Sequence, residues 1–238
     1  MSRPEHVAPP EIFYNDIEAK KYARNSRMME IQERLTERAL ELLNLPDDGI
    51  PKLLLDIGCG SGMSGQTLTE HGHEWFGTDI SADMLNVARD EREVEGDLCH
   101  SDMGQGLPLR QALFDGAISI SAVQWLCNAD TAGAEPRVRL KRFFASLYAA
   151  LTRGARAVLQ FYPETPRQAE MITMAAMKSG FSGGMVVDYP NSTRAKKFFL
   201  CLMAGPPAEL PKPKNEEDEE EEGEDGVKVE GRRQAKRQ

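Results

Sequence analysis

At 238 residues with 40% hydrophobic content, the chain can hold one sizeable α/β domain plus a tail and has no room for a second full domain. Its formal charge of −9 excludes a uniformly basic surface, and its four cysteines and four histidines contain no C-x-x-C pair and no metal-ligand spacing, so no metal is expected. Neither a secretory signal nor a long uncharged apolar stretch is present, which makes a soluble intracellular protein the expectation.

Residues 1–10 are proline-rich and read as extended chain. A helical pattern follows from Ile17 to Leu43, with Met28, Ile31, Leu35, Ala39 and Leu42 at three- and four-residue spacing, and the turn residues Asn44 to Gly49 close it. A first strand is predicted over Leu53 to Ile57 with a helix over Ser64 to His71, and a second over Glu74 to Asp79 with a Ser81-capped helix over Met84 to Glu91. Strand three falls at Val94 to His100 and strand four at Ala117 to Ser121. A helix from Arg137 to Leu151, strand five from Arg156 to Phe161 and a helix from Arg167 to Ser179 come next. Two closing strands, Met185 to Asp188 and Phe198 to Met203, are joined by a loop too short for a crossover helix and are therefore antiparallel. Alternating strands and helices predict a Rossmann-like, mainly parallel sheet of seven strands covered on both faces.

The run from Leu53 to Gly62 carries the most chemistry. An apolar strand breaks into Gly58, Gly60 and Gly62 where a helix should begin, an arrangement that lets backbone approach a nucleotide. A dinucleotide fingerprint needs G-x-G-x-x-G, and Met63 stands where its third glycine belongs. Asp56, two residues ahead of Gly58, suits a cationic ligand carrying an amino group better than a pyrophosphate, which points to S-adenosylmethionine. Asp79, ending the second strand, is the acidic position expected to bind ribose hydroxyls. The alternative is a glycine turn in an unrelated α/β domain with Asp79 as a helix cap.

Residues 207–238 hold 11 acidic and 7 basic side chains, nine of the acids between Glu216 and Asp225. This proline-led segment is too polar to fold alone. The expected organisation is therefore one domain over 1–205 and a disordered acidic tail over 206–238, whose basic end, Arg232 to Arg237, reads as a nuclear-import element or an RNA-touching stub.

The element order resembles the class I S-adenosylmethionine-dependent methyltransferase fold. The stretches Asp56 to Gly60, Glu95 to Asp97, Asp102 to Gly106, Ser119 to Asn128, Arg156 to Glu164 and Gly180 to Ser192 look like the eukaryotic 18S ribosomal RNA (guanine-N7)-methyltransferase family, a likeness extending from about Arg3 to Gly205. Beyond Gly205 the acidic run departs from the longer, basic, tryptophan-containing end expected of that family.

The resemblance implies that Asp56, Gly58, Cys59 and Gly60 surround the methionine part of the cofactor, that Asp79 and Ile80 hold its ribose, and that Asp102 accepts from the adenine amino group while Met103 packs on the ring. Ser121 belongs to the same cofactor set. Asp102 also reads as a turn residue beside Gly104. Trp125 would stack on the target base and Gln124 bond its edge, with a core tryptophan and a capping glutamine as the alternative. The loop lacks the Asp/Asn-Pro-Pro-aromatic string of exocyclic-amine enzymes and a proline-cysteine nucleophile, whereas guanine N7 requires neither, so positioning is the main catalytic task. Candidate RNA contacts are Arg24 and Arg27, Arg137, Arg139, Lys141 and Arg142, and Arg194, Lys196 and Lys197. The resemblance also implies pre-40S particles as substrate, a nuclear and nucleolar location with the cytoplasm as an alternative, and a 1:1 heterodimer with a small zinc-binding methyltransferase activator that adds a strand beside Val94 to His100, the zinc being the partner's. The competing readings are a small-molecule methyltransferase of the same fold and an assembly factor that acts by binding.

Overall fold

The computed structural model describes residues 4–128, 135–192, 195–206 and 210–215. Seven strands form one sheet: β1 Leu53–Ile57, β2 Glu74–Asp79, β3 Asp97–His100, β4 Phe114–Ile120, β5 Leu151–Phe161, β6 Ser182–Asp188 and β7 Lys197–Met203, in the order β3-β2-β1-β4-β5-β7-β6. All neighbours pair in parallel except β7, which runs antiparallel to both β5 and β6. This is the expected class I methyltransferase architecture. The near-continuous apolar strands reflect burial on both faces, as in β4, where six of seven residues are buried.

The helices are α1 Pro10–Phe13, α2 Asp16–Ala23, α3 Ser26–Leu43, α4 Met63–Glu70, α5 Ala82–Asp90, α6 Pro136–Ala150 and α7 Pro166–Lys178. On one face α6 and α7 bury Phe143, Phe144, Leu147 and Ile172 against Phe161, Leu159 and Leu200. On the other, α3 and α4 bury Leu35, Ala39, Leu42 and Leu68 against Leu54, Trp75 and Phe199. A smaller cluster of Ala19, Ala23, Met63, Met84 and Val87 joins α2 to α5 beside the glycine turn.

Several expectations are corrected. The single helix predicted over Ile17 to Leu43 is two: α2 is capped by Asn15, whose side chain accepts from the N–H groups of Ile17 and Glu18, and α3 by Asn25, which accepts from Met28 N–H. Apolar periodicity runs through that junction, and an Asn placed to bond free N–H groups stops one helix and starts the next. The first residues are not extended chain, since Pro4–His6 forms a 3-10 turn and α1 follows. β3 is shorter than expected because Val94 leaves the strand line to pack beside Gly62. β5 begins five residues early, directly at the end of α6.

Part of the segment expected to be tail, residues 210–215, packs on the domain. Arg38, at 15% side-chain exposure, pairs with the 2%-exposed Asp188 at 2.9 Å and donates to Lys212 O, while Lys214 N–H donates to Asp188 Oδ1 and Tyr189 N–H to Lys214 O. Residues 210–215 are thereby held along β6. The acidic run and basic end, 216–238, lie outside the described residues.

Candidate active site

Crossovers leave β1 and β4 toward opposite faces, so the carboxyl edge between them is where an open α/β sheet leaves a crevice. The crevice is present, walled by the turns after β1, β2, β3 and β4 and roofed by Pro10, Tyr14 and Tyr22. Its floor is the turn from Gly58 to Gly62. Gly58 has φ +71°, and a Cβ there would stand 2.4 Å from Ala122 Cβ, so only glycine lets the β1 and β4 turns meet. The N–H groups of Gly58 and Cys59 both donate to Thr78 O, at 2.7 and 3.1 Å, which fixes the turn against β2. Ser61 faces the cavity with its hydroxyl buried and without a protein partner.

Asp79 ends β2 inside the crevice. One carboxylate oxygen accepts from Gly60 N–H and the other from Ser81 N–H, each at 2.8 Å. Burial pushes its carboxyl up, opposed by the N–H donors of Ser81, Gly60 and Ile80. Two acceptors fixed in place, with lone pairs remaining, suit a vicinal diol.

Asp56 lies behind this wall, fully buried, accepting from Ser64 Oγ at 2.6 Å while its other oxygen has no partner. Burial pushes it up to about 7, against the pull of the Ser64 hydroxyl. Asp102, after β3, caps the turn Met103–Gln105 through Gly104 N–H at 2.8 Å and pairs with Arg139 at 3.1 Å. Asp102 is thus a turn residue that also lines the cavity beside Met103.

The acceptor side follows β4. Ser121 has φ +57°, unusual for a side chain other than glycine, and is held by its N–H to Gln160 O at 2.9 Å and its hydroxyl to Gln160 Oε1 at 2.7 Å. Such a conformation persists only where neighbours over-determine it. Trp125 reaches the cavity but is only 7% exposed, its ring 6.4 Å from Phe13 and 6.1 Å from Tyr14. Gln124 does not line the cavity: its amide donates to Ser121 O at 2.9 Å, so it braces the loop instead of facing a base. In the short helical turn Val123–Cys127 residue 124 points inward while residue 125 faces the crevice.

The fold thus brings Gly58, Cys59, Gly60, Asp79, Ile80, Asp102, Met103, Ser121 and Trp125 to one cavity and leaves Asp56 and Gln124 just behind it. Sequence reasoning missed Tyr14, Tyr22, Gln32 and Ser61, which also line it. Tyr14 and Tyr22 stack edge-on at 5.8 Å, and burial pushes Tyr14 up to about 12 with Asp79 adding to the rise. Tyr14 stood between the extended segment and the predicted helix, and Tyr22 within that helix off its apolar stripe, so no pattern placed them here.

A match to the family model described as a methyltransferase domain covers residues 54–143, from β1 to the middle of α6. The 18S rRNA (guanine-N(7))-methyltransferase RID2 of Arabidopsis thaliana is 62% identical over 225 residues, 94% of this chain and 78% of the relative. The chain belongs to the 18S rRNA (guanine-N7)-methyltransferase family. At fold level the same frame recurs in magnesium protoporphyrin IX methyltransferase from Synechocystis, solved with S-adenosylmethionine, at 16% identity and TM-score 0.60 over 85% of this chain and 98% of that one. It recurs too in the complex of the Haloferax volcanii Trm112 methyltransferase activator with a methyltransferase, at 16% identity and TM-score 0.55 over 79% and 98%.

As a member of this family the chain uses S-adenosylmethionine, and the residues fit it: a glycine turn held close to the β4 turn with no room for a Cβ, an orphaned serine hydroxyl, and a carboxylate aligned by two backbone donors. Of the expected cations, Arg24 pairs with Glu91 and Arg139 with Asp102, whereas Arg27, Arg137, Lys141 and Arg142 are exposed and Arg194 lies outside the described residues.

Proposed function

We propose that the chain transfers the methyl group of S-adenosylmethionine to N7 of a guanine in 18S ribosomal RNA during small-subunit biogenesis. The observation that carries the chemistry is the make-up of the acceptor loop. From Ser121 to Asn128 the only ionisable side chain is Cys127, whose thiol burial pushes up to about 12 in spite of Arg139 nearby. Such a thiol is no nucleophile at neutral pH, and these eight residues carry no general base. An acceptor whose lone pair is already free needs neither, and guanine N7 is such an acceptor.

When bound, S-adenosylmethionine supplies a methyl group on a cationic sulfur. The chain's own part is to align and to exclude water. Asp79 and the Gly58 to Gly60 turn fix the cofactor end, the Gln124 and Gln160 bonds hold the Ser121 loop, and Tyr14, Tyr22 and Trp125 form an apolar lining over the reacting centre. Trp125 would meet the base once Phe13 and Tyr14 give up their contact with it. Exposed Arg27, Arg137, Lys141 and Arg142 are the cations for RNA phosphates. Likeness to RID2 along nearly the whole chain supports an RNA acceptor over a small metabolite.

The reading includes a zinc-binding activator as partner and a nuclear and nucleolar place of action. β3 lies at the edge of the sheet, pairing only with β2 among the described residues, and an open edge accepts an added strand. The Trm112 complex of the Haloferax neighbour supports this choice of partner. Leu98 is half-buried against the core, so Leu98→Lys should weaken association and also lower stability somewhat.

The test of the main reading is mapping of N7-methylguanosine in 18S rRNA from cells with and without the protein, joined to transfer assays on RNA carrying guanine or 7-deazaguanine at the mapped site. Loss of one N7-methylguanosine and no transfer to the deaza RNA are expected. An unchanged rRNA map, or methylation of the deaza substrate, would overturn it.

A further inference from the structure

Arg139 was expected at the RNA surface, but its side chain is 14% exposed and turned into the cofactor crevice. It sits in the first turns of α6, and its Nη2 meets Asp102 Oδ1 at 3.1 Å, the oxygen that also accepts Gly104 N–H. The guanidinium packs against Gly104: a Cβ built there would stand 2.3 Å from Arg139 Nε. Two further bonds zip α6 to the same turn, Arg142 to Gln105 Oε1 at 3.1 Å and Leu107 N–H to Ser146 Oγ at 2.9 Å. The turn bearing Asp102 and Met103 is therefore held from α6, with Arg139 as the bond nearest the cavity.

We infer that Arg139 is a positioning residue for adenine recognition: by occupying Asp102 Oδ1 it sets the carboxylate so that its remaining acceptor capacity faces the cofactor's amino group, and so helps select adenine over other bases. The inference rests on the cofactor reading above. A carboxylate tied at one oxygen by a planar, permanently charged donor and a backbone N–H loses the freedom to rotate. Untied, it pivots and accepts from water, and the cavity discriminates less between an adenine amino group and an oxo group in its place.

The experiment is calorimetric titration of the full chain, with its activator if needed for solubility, with S-adenosyl-L-homocysteine and with S-inosyl-L-homocysteine, which has a carbonyl oxygen where adenine has its amino group. The parent protein should prefer the adenosyl ligand by about ten-fold or more. Arg139→Ala should weaken the adenosyl ligand by about ten-fold yet leave the inosyl ligand within about two-fold, collapsing the preference, while Arg139→Lys restores part of it. Gly104→Ala, which keeps the arginine but pushes it off the turn, should reproduce the collapse and guards against a variant that fails to fold. Equal weakening of both ligands, or an unchanged preference in both variants, would overturn the role of Arg139. Failure of the parent to bind the adenosyl ligand at all would instead refute the cofactor reading.

Discussion

Replacing Asp79 by asparagine separates the roles that its two oxygens play. Each oxygen now accepts one backbone N–H, from Gly60 and from Ser81, both at 2.8 Å. Asparagine keeps the shape but has one acceptor oxygen, so either orientation sets an NH2 group against an N–H. The lost bond to a charged acceptor is worth about 1.5–3 kcal/mol. Against this, the neutral amide escapes the burial penalty that pushes the carboxyl up, so the fold should lose only about 1 kcal/mol. Ribose binding has no such offset: losing a charged acceptor for the diol should weaken S-adenosylhomocysteine about 10- to 100-fold. Calorimetric titration alongside urea unfolding of the same preparation measures both quantities. Stability falling while cofactor affinity stays within about two-fold would show that Asp79 is a loop staple and not a ligand. Asp79→Lys, which adds a cation facing a cationic cofactor, should abolish binding outright.

Three further outcomes are expected. Asp56 ionises near pH 7 when folded and near 3.8 when unfolded, so the native state holds the extra proton between those values and stability falls as pH rises through that window; Asp56→Asn should flatten the decline in urea titrations from pH 4 to 8. Gly58→Ala, with φ +71° and a Cβ 2.4 Å from Ala122, should displace the acceptor loop and reduce methyl transfer by at least about ten-fold, and a variant of parental activity would show that the turns are not in contact. Arg38→Met leaves Asp188 buried without its cation and should destabilise the domain by about 3 kcal/mol in urea unfolding, with no loss of cofactor affinity once folded.

The sequence alone determined the order of the strands and of the helices from α4 onward, the glycine turn and the acidic end of the second strand, because each depends on residues close together along the chain: hydrophobic period, the φ values glycine permits, and a carboxylate just past an apolar run. The motif strings carried the family by the same local route. What tertiary structure decided was which side chains reach the cavity. Asp56 and Gln124, each within a few residues of a lining glycine or tryptophan, turn inward behind the wall, since a strand or a tight helical turn sends neighbouring side chains in different directions. Tyr14 and Tyr22 arrive from far up the chain, carried by α1 and α2 once Asn15 and Asn25 divide what periodicity ran together. Arg139, 37 residues from Asp102, leaves the exposed cations and joins the cofactor wall only because α6 packs along the turn after β3, a pairing across the fold that no spacing in the sequence encodes.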